Sequence, residues 1–252
     1  MALSFRQAEI LEIARSQGRV VVELLADRFG VTLQTIRRDL TELADSGLLD
    51  RVHGGAVPRT GVSNFGYEDR RRMNDAAKAA IGRACAQAIP NNSSIILNLG
   101  TTTEAVAREL LKHSNITVVT NNINVANILM ANESCEIMVA GGALRRSDGG
   151  LVGDLTTDFM TQFKVDYAVI GASALDRDGD LLDFDLPEVR VSRAIIRQSR
   201  QVFLVSDASK LERSAPVRLA SLSEIDVVFT DTLFPEDLTR KCRDWDTEIR
   251  IA

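Results

Sequence analysis

The sequence predicts an α/β protein in two parts: a small helical head and a doubly wound, Rossmann-like α/β body. Before residue 54 apolar residues recur at three- and four-residue steps, as in Ile10, Leu11 and Ala14, then Val21, Leu24, Leu25 and Phe29. After residue 72 short β-rich runs alternate with helical stretches, the pattern of βαβ units and a parallel sheet. Between them Gly54-Gly-Ala-Val-Pro-Arg-Thr-Gly61 is rich in glycine, proline and small residues and reads as a hinge. The expected boundaries are 1–57 for the head, 58–73 for a linker and 74–252 for the body.

In the head, Gly18 and Gly30 stand where helices should end. A helix over Val21–Phe29 is followed by a short turn, and Thr32 is placed to cap the next helix with its hydroxyl. Leu33, Ile36, Leu40 and Leu43 form one apolar stripe on that second helix. Gln34, Arg38 and Thr41 fall opposite it, flanked by Thr35 and Arg37. Such a surface suits a DNA groove, because arginine forks onto guanine, glutamine onto adenine, and hydroxyls reach phosphates. Leu48 to Gly55 then reads as two short strands or a β-turn, and Arg51 and His53 could form a wing beside the groove. A helical hairpin with a solvated basic face fits the pattern equally well. Seven arginines face eight carboxylates within residues 1–57, so the head is near neutral. DNA affinity would depend on segregation of charge and on pairing of heads.

In the body, strands are expected at Ser94–Leu99, Ile116–Val119, Glu136–Val139, Tyr167–Ile170, Val202–Val205, Val227–Phe229 and Glu248–Ile251. Helices are expected at Asp75–Ile89, Thr103–Leu111, Asn124–Met130, Asp154–Phe163, Glu188–Ser199 and Pro235–Trp245. The turns that follow the strands are polar. Gly100, Thr101, Thr102 and Thr103 open a helix, where free N–H groups and hydroxyls suit an anion. Thr120, Asn121 and Asn122 follow the second strand, and Gly141 and Gly142 the third. Arg145, Asp148 and Gly149 come close behind, and a later strand leads to Lys210. In a doubly wound sheet these turns share the carboxyl edge, where ligands bind. Together they suit a small phosphorylated polyol, although each turn alone could be a mere cap. Neither G-x-G-x-x-G nor G-x-x-x-x-G-K-[ST] occurs, which disfavours a dinucleotide or nucleoside triphosphate.

Asp176-Arg-Asp-Gly-Asp180 begins like a calcium loop but has Leu181 and Pro187 where glycine and glutamate belong, so an acidic hairpin turn is expected. Asp183 and Glu188 either suit the start of the following helix or accept hydrogen bonds from ligand hydroxyls. The chain carries three cysteines and two histidines and a net charge of -5. The scattered Cys85, Cys135 and Cys242 offer no C-x-x-C pair, and His53 and His113 poorly supply a metal centre or a Ser-His-Asp triad. No metal and no cofactor are expected. An apolar run of roughly 18 residues and a secretory signal are both missing, so a cytoplasmic protein without a membrane partner is expected.

Thr32-Leu-Gln-Thr-Ile-Arg-Arg-Asp-Leu40, with Leu43 and the wing Leu49-Asp-Arg-Val-His-Gly-Gly-Ala56, closely resembles the N-terminal signature of the DeoR family of bacterial transcriptional regulators. Arg6 and Ile10 also stand where that signature has a basic and an apolar residue. The resemblance implies a winged helix-turn-helix that binds double-stranded operator DNA. The body resembles the sensor domain of the same family, which is similar in fold to sugar-phosphate isomerases such as ribose-5-phosphate isomerase. Gly100-Thr-Thr102, Val119-Thr-Asn-Asn-Ile-Asn-Val-Ala-Asn127, Ala140-Gly-Gly142, Ser147-Asp-Gly-Gly150, Asp183-Phe-Asp185 and Glu188-Val-Arg190 look most like the branch that represses glycerol metabolism genes. That likeness implies a repressor, dimeric or tetrameric, released by glycerol 3-phosphate. Thr103 departs from the proline expected there, and a threonine can still cap. The competing expectation is an aldose–ketose isomerase with an accessory head, in which Asp183 or Glu188 would serve as base and Lys210 as the cation.

Overall fold

The computed structural model describes residues 3–17, 20–52, 54–58 and 67–252. The chain divides into two compact units, Met1–Ser63 and Asn64–Ala252. Gly18, His53 and residues 59–66 of the expected linker lie outside the described residues.

The N-terminal unit runs α1 (Phe5–Gln17), β1 (Val20–Val21), α2 (Val22–Phe29), α3 (Leu33–Asp45), β2 (Leu49–Val52) and β3 (Gly55–Pro58). Strand β3 pairs antiparallel with both β1 and β2. Helix α2 ends at Gly30 with φ of 62°, a left-handed conformation that glycine adopts without steric cost. Thr32 caps α3 as expected, its hydroxyl accepting from the Thr35 amide at 3.2 Å. Ile36, Leu40 and Leu43 are fully buried against Ile10, Ala14, Val22 and Leu25. Two expected core residues are exposed instead, Leu24 and Leu33. Leu33 is the first residue of α3, where side chains lean back past the helix start and miss the packing surface.

The C-terminal unit begins with α4 (Tyr67–Arg72) and α5 (Asp75–Gln87), then β4 (Ser94–Leu97), α6 (Thr101–Glu109), β5 (Ile116–Thr120), α7 (Ile123–Leu129) and β6 (Cys135–Val139). A hairpin of β7 (Ala143–Arg145) and β8 (Gly150–Val152) leads to α8 (Asp154–Thr161) and β9 (Val165–Ile170). There follow β10 (Ala174–Leu175), β11 (Asp180–Asp183), α9 (Leu186–Arg197), β12 (Ser199–Val205), β13 (Val217–Ser221), β14 (Val227–Thr230), α10 (Glu236–Asp244) and β15 (Glu248–Ile251).

The seven expected body strands form one sheet in the order β15-β14-β12-β9-β4-β5-β6, and every pairing is parallel. Alternate residues feed two cores. Ile95, Leu97, Val118 and Phe203 pack under α5, α6 and α7, and Ile96, Val119, Ala168 and Leu204 under α8, α9 and α10. Sheets buried on both faces require such near-continuous apolar strands. Connections run one way from β4 to β5 and β6, then resume on its other side with β9 and β12. The boundary between β4 and β9 is therefore a switch point, where the loops leaving adjacent strand ends diverge and open a crevice.

Three features of this unit differ from expectation. The glycine turns after β6 frame the β7–β8 hairpin. A small antiparallel sheet, β10-β11-β13, covers the later crossovers. Asp176–Asp180 forms its acidic hairpin turn, with Asp176 Oδ1 accepting from the amides of Asp178 and Asp180. The stretch expected as linker, 58–73, contains helix α4, which belongs to the C-terminal unit. Its sequence, Tyr-Glu-Asp-Arg-Arg-Arg, is too short and polar for an apolar period to reveal it, and partners far along the chain hold it.

Helices α5 and α6 cross closely at Gly82, where an added Cβ would lie 2.8 Å from the Ala105 carbonyl carbon. Gly82→Leu should therefore destabilise the C-terminal unit by about 1–3 kcal/mol. Urea unfolding read through Trp245, the sole tryptophan, checks this.

Candidate functional site

On the head, three residues separate α2 from α3, and α3 carries the polar face. Gln34, Arg37, Arg38 and Thr41 are exposed, with Thr32 at the helix start and Thr35 partly covered. Arg38 is 82% exposed and, among the described residues, is held only by Glu42, at 3.0 Å on the next turn. Arg51, on β2, donates to the Arg37 carbonyl at 3.0 Å and to the Thr41 hydroxyl at 2.8 Å. The wing strand is thereby tied to the exposed face of α3. Behind that face, Arg6 grips Asp39 at 2.6 Å and Gln7 donates to Glu42 at 2.6 Å, so α1 fixes the roll of α3. A positioned face of amide, hydroxyl and guanidinium groups can dock into a duplex groove.

On the C-terminal unit a cleft opens at the β4–β9 switch point. It is lined by the loop Leu99 to Glu104, by Gly171–Ser173 after β9, and by Asp148, Asp183, Glu188, Lys210, Tyr67 and Arg70. Gly100, with φ of 142°, turns the chain from β4 into α6 in a conformation closed to other residues. The amides of Thr101, Thr102 and Thr103 are the first three of α6 and have no partner within the helix. Thr103 spends its hydroxyl on the carbonyls of Asn98 and Gly100, at 2.9 and 2.6 Å, and so braces the loop. Thr101 and Thr102 line the cleft.

Carboxylates crowd the opposite wall. Arg145 binds Asp148 at 2.7 and 2.9 Å, Asp185 at 2.8 Å and Glu188 at 2.5 Å. Burial works against the charge of Asp148, but Arg145 outweighs it and holds that carboxyl below its ordinary range. Burial, with the nearby charge of Asp183, pushes Glu188 up to about 7. Burial also raises Asp183. Lys210 is driven down to about 7 by burial and by Arg213. The cleft thus holds an acid and a base that both exchange protons near neutrality, beside a helix start that favours an anion.

The whole chain matches known proteins. Residues 6–60 match the DeoR-like helix-turn-helix domain, and residues 73–232 match the DeoR C terminal sensor domain. The chain belongs to the DeoR family. The glycerol-3-phosphate regulon repressor of Escherichia coli is 45% identical over 98% of both chains. That of Haemophilus influenzae is 43% identical over 100% of this chain and 98% of its own. The transcriptional repressor CsqR of Escherichia coli is 36% identical over 97% of this chain and 94% of its own. Among solved structures, ribose 5-phosphate isomerase A of Neisseria gonorrhoeae overlaps 55% of this chain and 54% of its own, at 12% identity and a TM-score of 0.41.

In this DeoR protein the sensor cleft gathers eight of the residues that the sequence singled out: Gly100, Thr101, Thr102, Thr103, Asp148, Asp183, Glu188 and Lys210. The others stand outside its lining. Thr120 donates to the Leu97 carbonyl, Asn121 reaches the Leu151 carbonyl, and Asn122 caps α7. Gly141 accepts from Thr156, Gly142 packs beside the same threonine, and Gly149 closes the hairpin by donating to the Arg145 carbonyl. Arg145 does not line the cleft, because three carboxylates occupy its guanidinium. Sequence reasoning missed Tyr67, Arg70 and Glu104, which line the cleft, and Asn124, which bonds to all but Arg70 of them. Glu104 is 2% exposed, and a charge on the helix face nearest Gly100 was the signal available for it.

The two groups brought to about 7, Glu188 and Lys210, act on stability in opposite senses. Glu188 holds its proton more firmly when folded, so its contribution is full below about pH 4 and lost as pH rises through about 7. Lys210 loses its proton more readily when folded, so its penalty is full below about pH 7 and fades towards about pH 10. Between about pH 5 and 9 these groups should give the sensor unit its lowest stability near neutrality. Urea midpoints across that range test this: Glu188→Gln should flatten the acid limb and Lys210→Met the alkaline one.

Proposed function

We propose that this chain is a DNA-binding repressor of glycerol and glycerol 3-phosphate metabolism genes, released from its operator by glycerol 3-phosphate. The observation that carries this reading is the 45% identity running through head and sensor alike, over 98% of a repressor of that regulon. In the proposed complex Gln34, Thr35, Arg37, Arg38 and Thr41 face the major groove. Thr32 and Arg51 reach the sugar-phosphate backbone beside it. The effector phosphate sits on the Thr101–Thr103 amides and the Thr101 and Thr102 hydroxyls with Lys210, and Asp183 and Glu188 accept from the effector's hydroxyls. The protein acts in the cytoplasm as a receptor without turnover, since glycerol 3-phosphate has no carbonyl to isomerise.

A single head makes few phosphate contacts and binds weakly at physiological salt, so the working species is a dimer or tetramer. Release needs only that the effector bind the DNA-incompetent arrangement more tightly, a coupling of about 1–3 kcal/mol.

A mobility shift on operator fragments, with and without glycerol 3-phosphate, tests the reading; indifference to the metabolite would overturn it. Arg38→Ala should weaken operator binding by about 1–3 kcal/mol and leave effector affinity unchanged in calorimetry. Thr101→Ala combined with Thr102→Ala should bind operator normally yet stay bound at effector concentrations that release the wild type.

A further inference from the structure

Among the described residues, Arg70 is an under-bonded arginine of the sensor cleft. Its Nε is buried without a hydrogen-bond partner among the described residues. A terminal nitrogen meets Asp148 only at 3.5 Å, and Asp148 is already committed to Arg145 at 2.7 and 2.9 Å. A guanidinium carries five donors in a planar fork, and leaving them unsatisfied in a part-buried site is costly. Arg145, in contrast, is fully engaged by carboxylates. Of the two, Arg70 is the arginine with bonds to give an anion.

The helix that carries Arg70 is fastened to the cleft at several points. The Tyr67 hydroxyl donates to the Glu104 carboxylate at 2.9 Å and accepts from Asn124 Nδ2 at 3.0 Å. Just past α4, Asn74 Nδ2 reaches Asp207 Oδ1 at 2.9 Å. Beneath, the buried Lys78 ammonium donates to the carbonyls of Arg70 and Met73. Residues 59–66 connect β3 of the head directly to this helix.

We propose that Arg70 is a ligand for the effector's phosphate, and that α4 is the wall of the cleft whose placement carries occupancy to the head. The proposal rests on the phosphorylated-effector reading above. A phosphate on the α6 amides offers two oxygens to the Arg70 fork, a stronger bond than the 3.5 Å contact with Asp148. Moving Arg70 moves α4, and α4 is covalently next to the chain leading to the head.

The test uses the full chain, with calorimetry for effector affinity and operator mobility shifts for release. Arg70→Ala should lose at least about 30-fold in glycerol 3-phosphate affinity, and Arg70→Lys should recover only part, since an ammonium cannot fork. Arg71→Ala, an exposed neighbour, should bind as the wild type does. Tyr67→Phe, which loosens α4 from Glu104, should shift the effector concentration needed for release at least about fivefold more than it shifts effector affinity. Wild-type affinity in Arg70→Ala, or a release midpoint in Tyr67→Phe that moves no further than its effector affinity, would overturn the proposal. Urea unfolding through Trp245 screens each variant for folding, and Arg70→Gln, which keeps most of the packed stem, replaces any that fails. Wild-type protein that takes up no glycerol 3-phosphate would instead overturn the effector reading. Inorganic phosphate then decides for Arg70: it should bind the wild type and be lost in Arg70→Ala, and equal binding, or none to either, sinks the assignment.

Discussion

Charge in a half-buried cleft has to be paired, and Arg145 is where the sensor unit meets that requirement. One guanidinium draws Asp148 from the β7–β8 turn together with Asp185 and Glu188 from the start of α9. Three carboxylates brought together without it would repel one another and lose their hydration, a cost of several kcal/mol for each ion. With it, the hairpin and α9 are clamped around the cleft, and Glu188 faces Asp183 from a fixed position. The raised proton affinity of that pair follows from burial and mutual repulsion, not from any special chemistry of either residue.

The position of the cleft follows from the sheet. Both faces of the seven strands are apolar and covered, so polar groups are admitted only at the strand ends. At the β4–β9 boundary successive connections diverge, and the space between them is bounded by an α6 start and the β9 and β12 loops. Anion-favouring amides therefore oppose an acidic wall across a narrow gap. A ligand with a phosphate at one end and hydroxyls at the other matches that polarity. The head works by the same economy. Its net charge is close to zero, yet the apolar stripe of α3 turns Arg37, Arg38, Gln34 and Thr41 to one side and the Arg6–Asp39 pair holds them there.

Much of this was legible in the residues. The seven parallel strands, the capped second helix of the head, and the threonine loop at Gly100 all announced themselves, because each depends on local rules of period, capping and turn chemistry. Arg145 was expected to bind ligand, but three carboxylates take its guanidinium, and spacing cannot say which partners a cation meets. Tyr67 and Arg70 were hidden inside a stretch that composition marks as a linker. Six polar residues carry no apolar period, and their fold is set by Glu104, Asp148 and Lys78, which lie 8 to 78 positions further along the chain.

By itself, the sequence determined the two-part plan, the α/β class, the exposed face of α3 and the family, because periodicity and contiguous motifs survive without coordinates. Only the tertiary structure decided which of many polar turns share a cleft, which arginine is spent and which is available, and that the helix after the linker forms a wall of the site. The physical reason is that pairing of charges and orientation of donors depend on distances between residues far apart in the chain, and no local pattern encodes them.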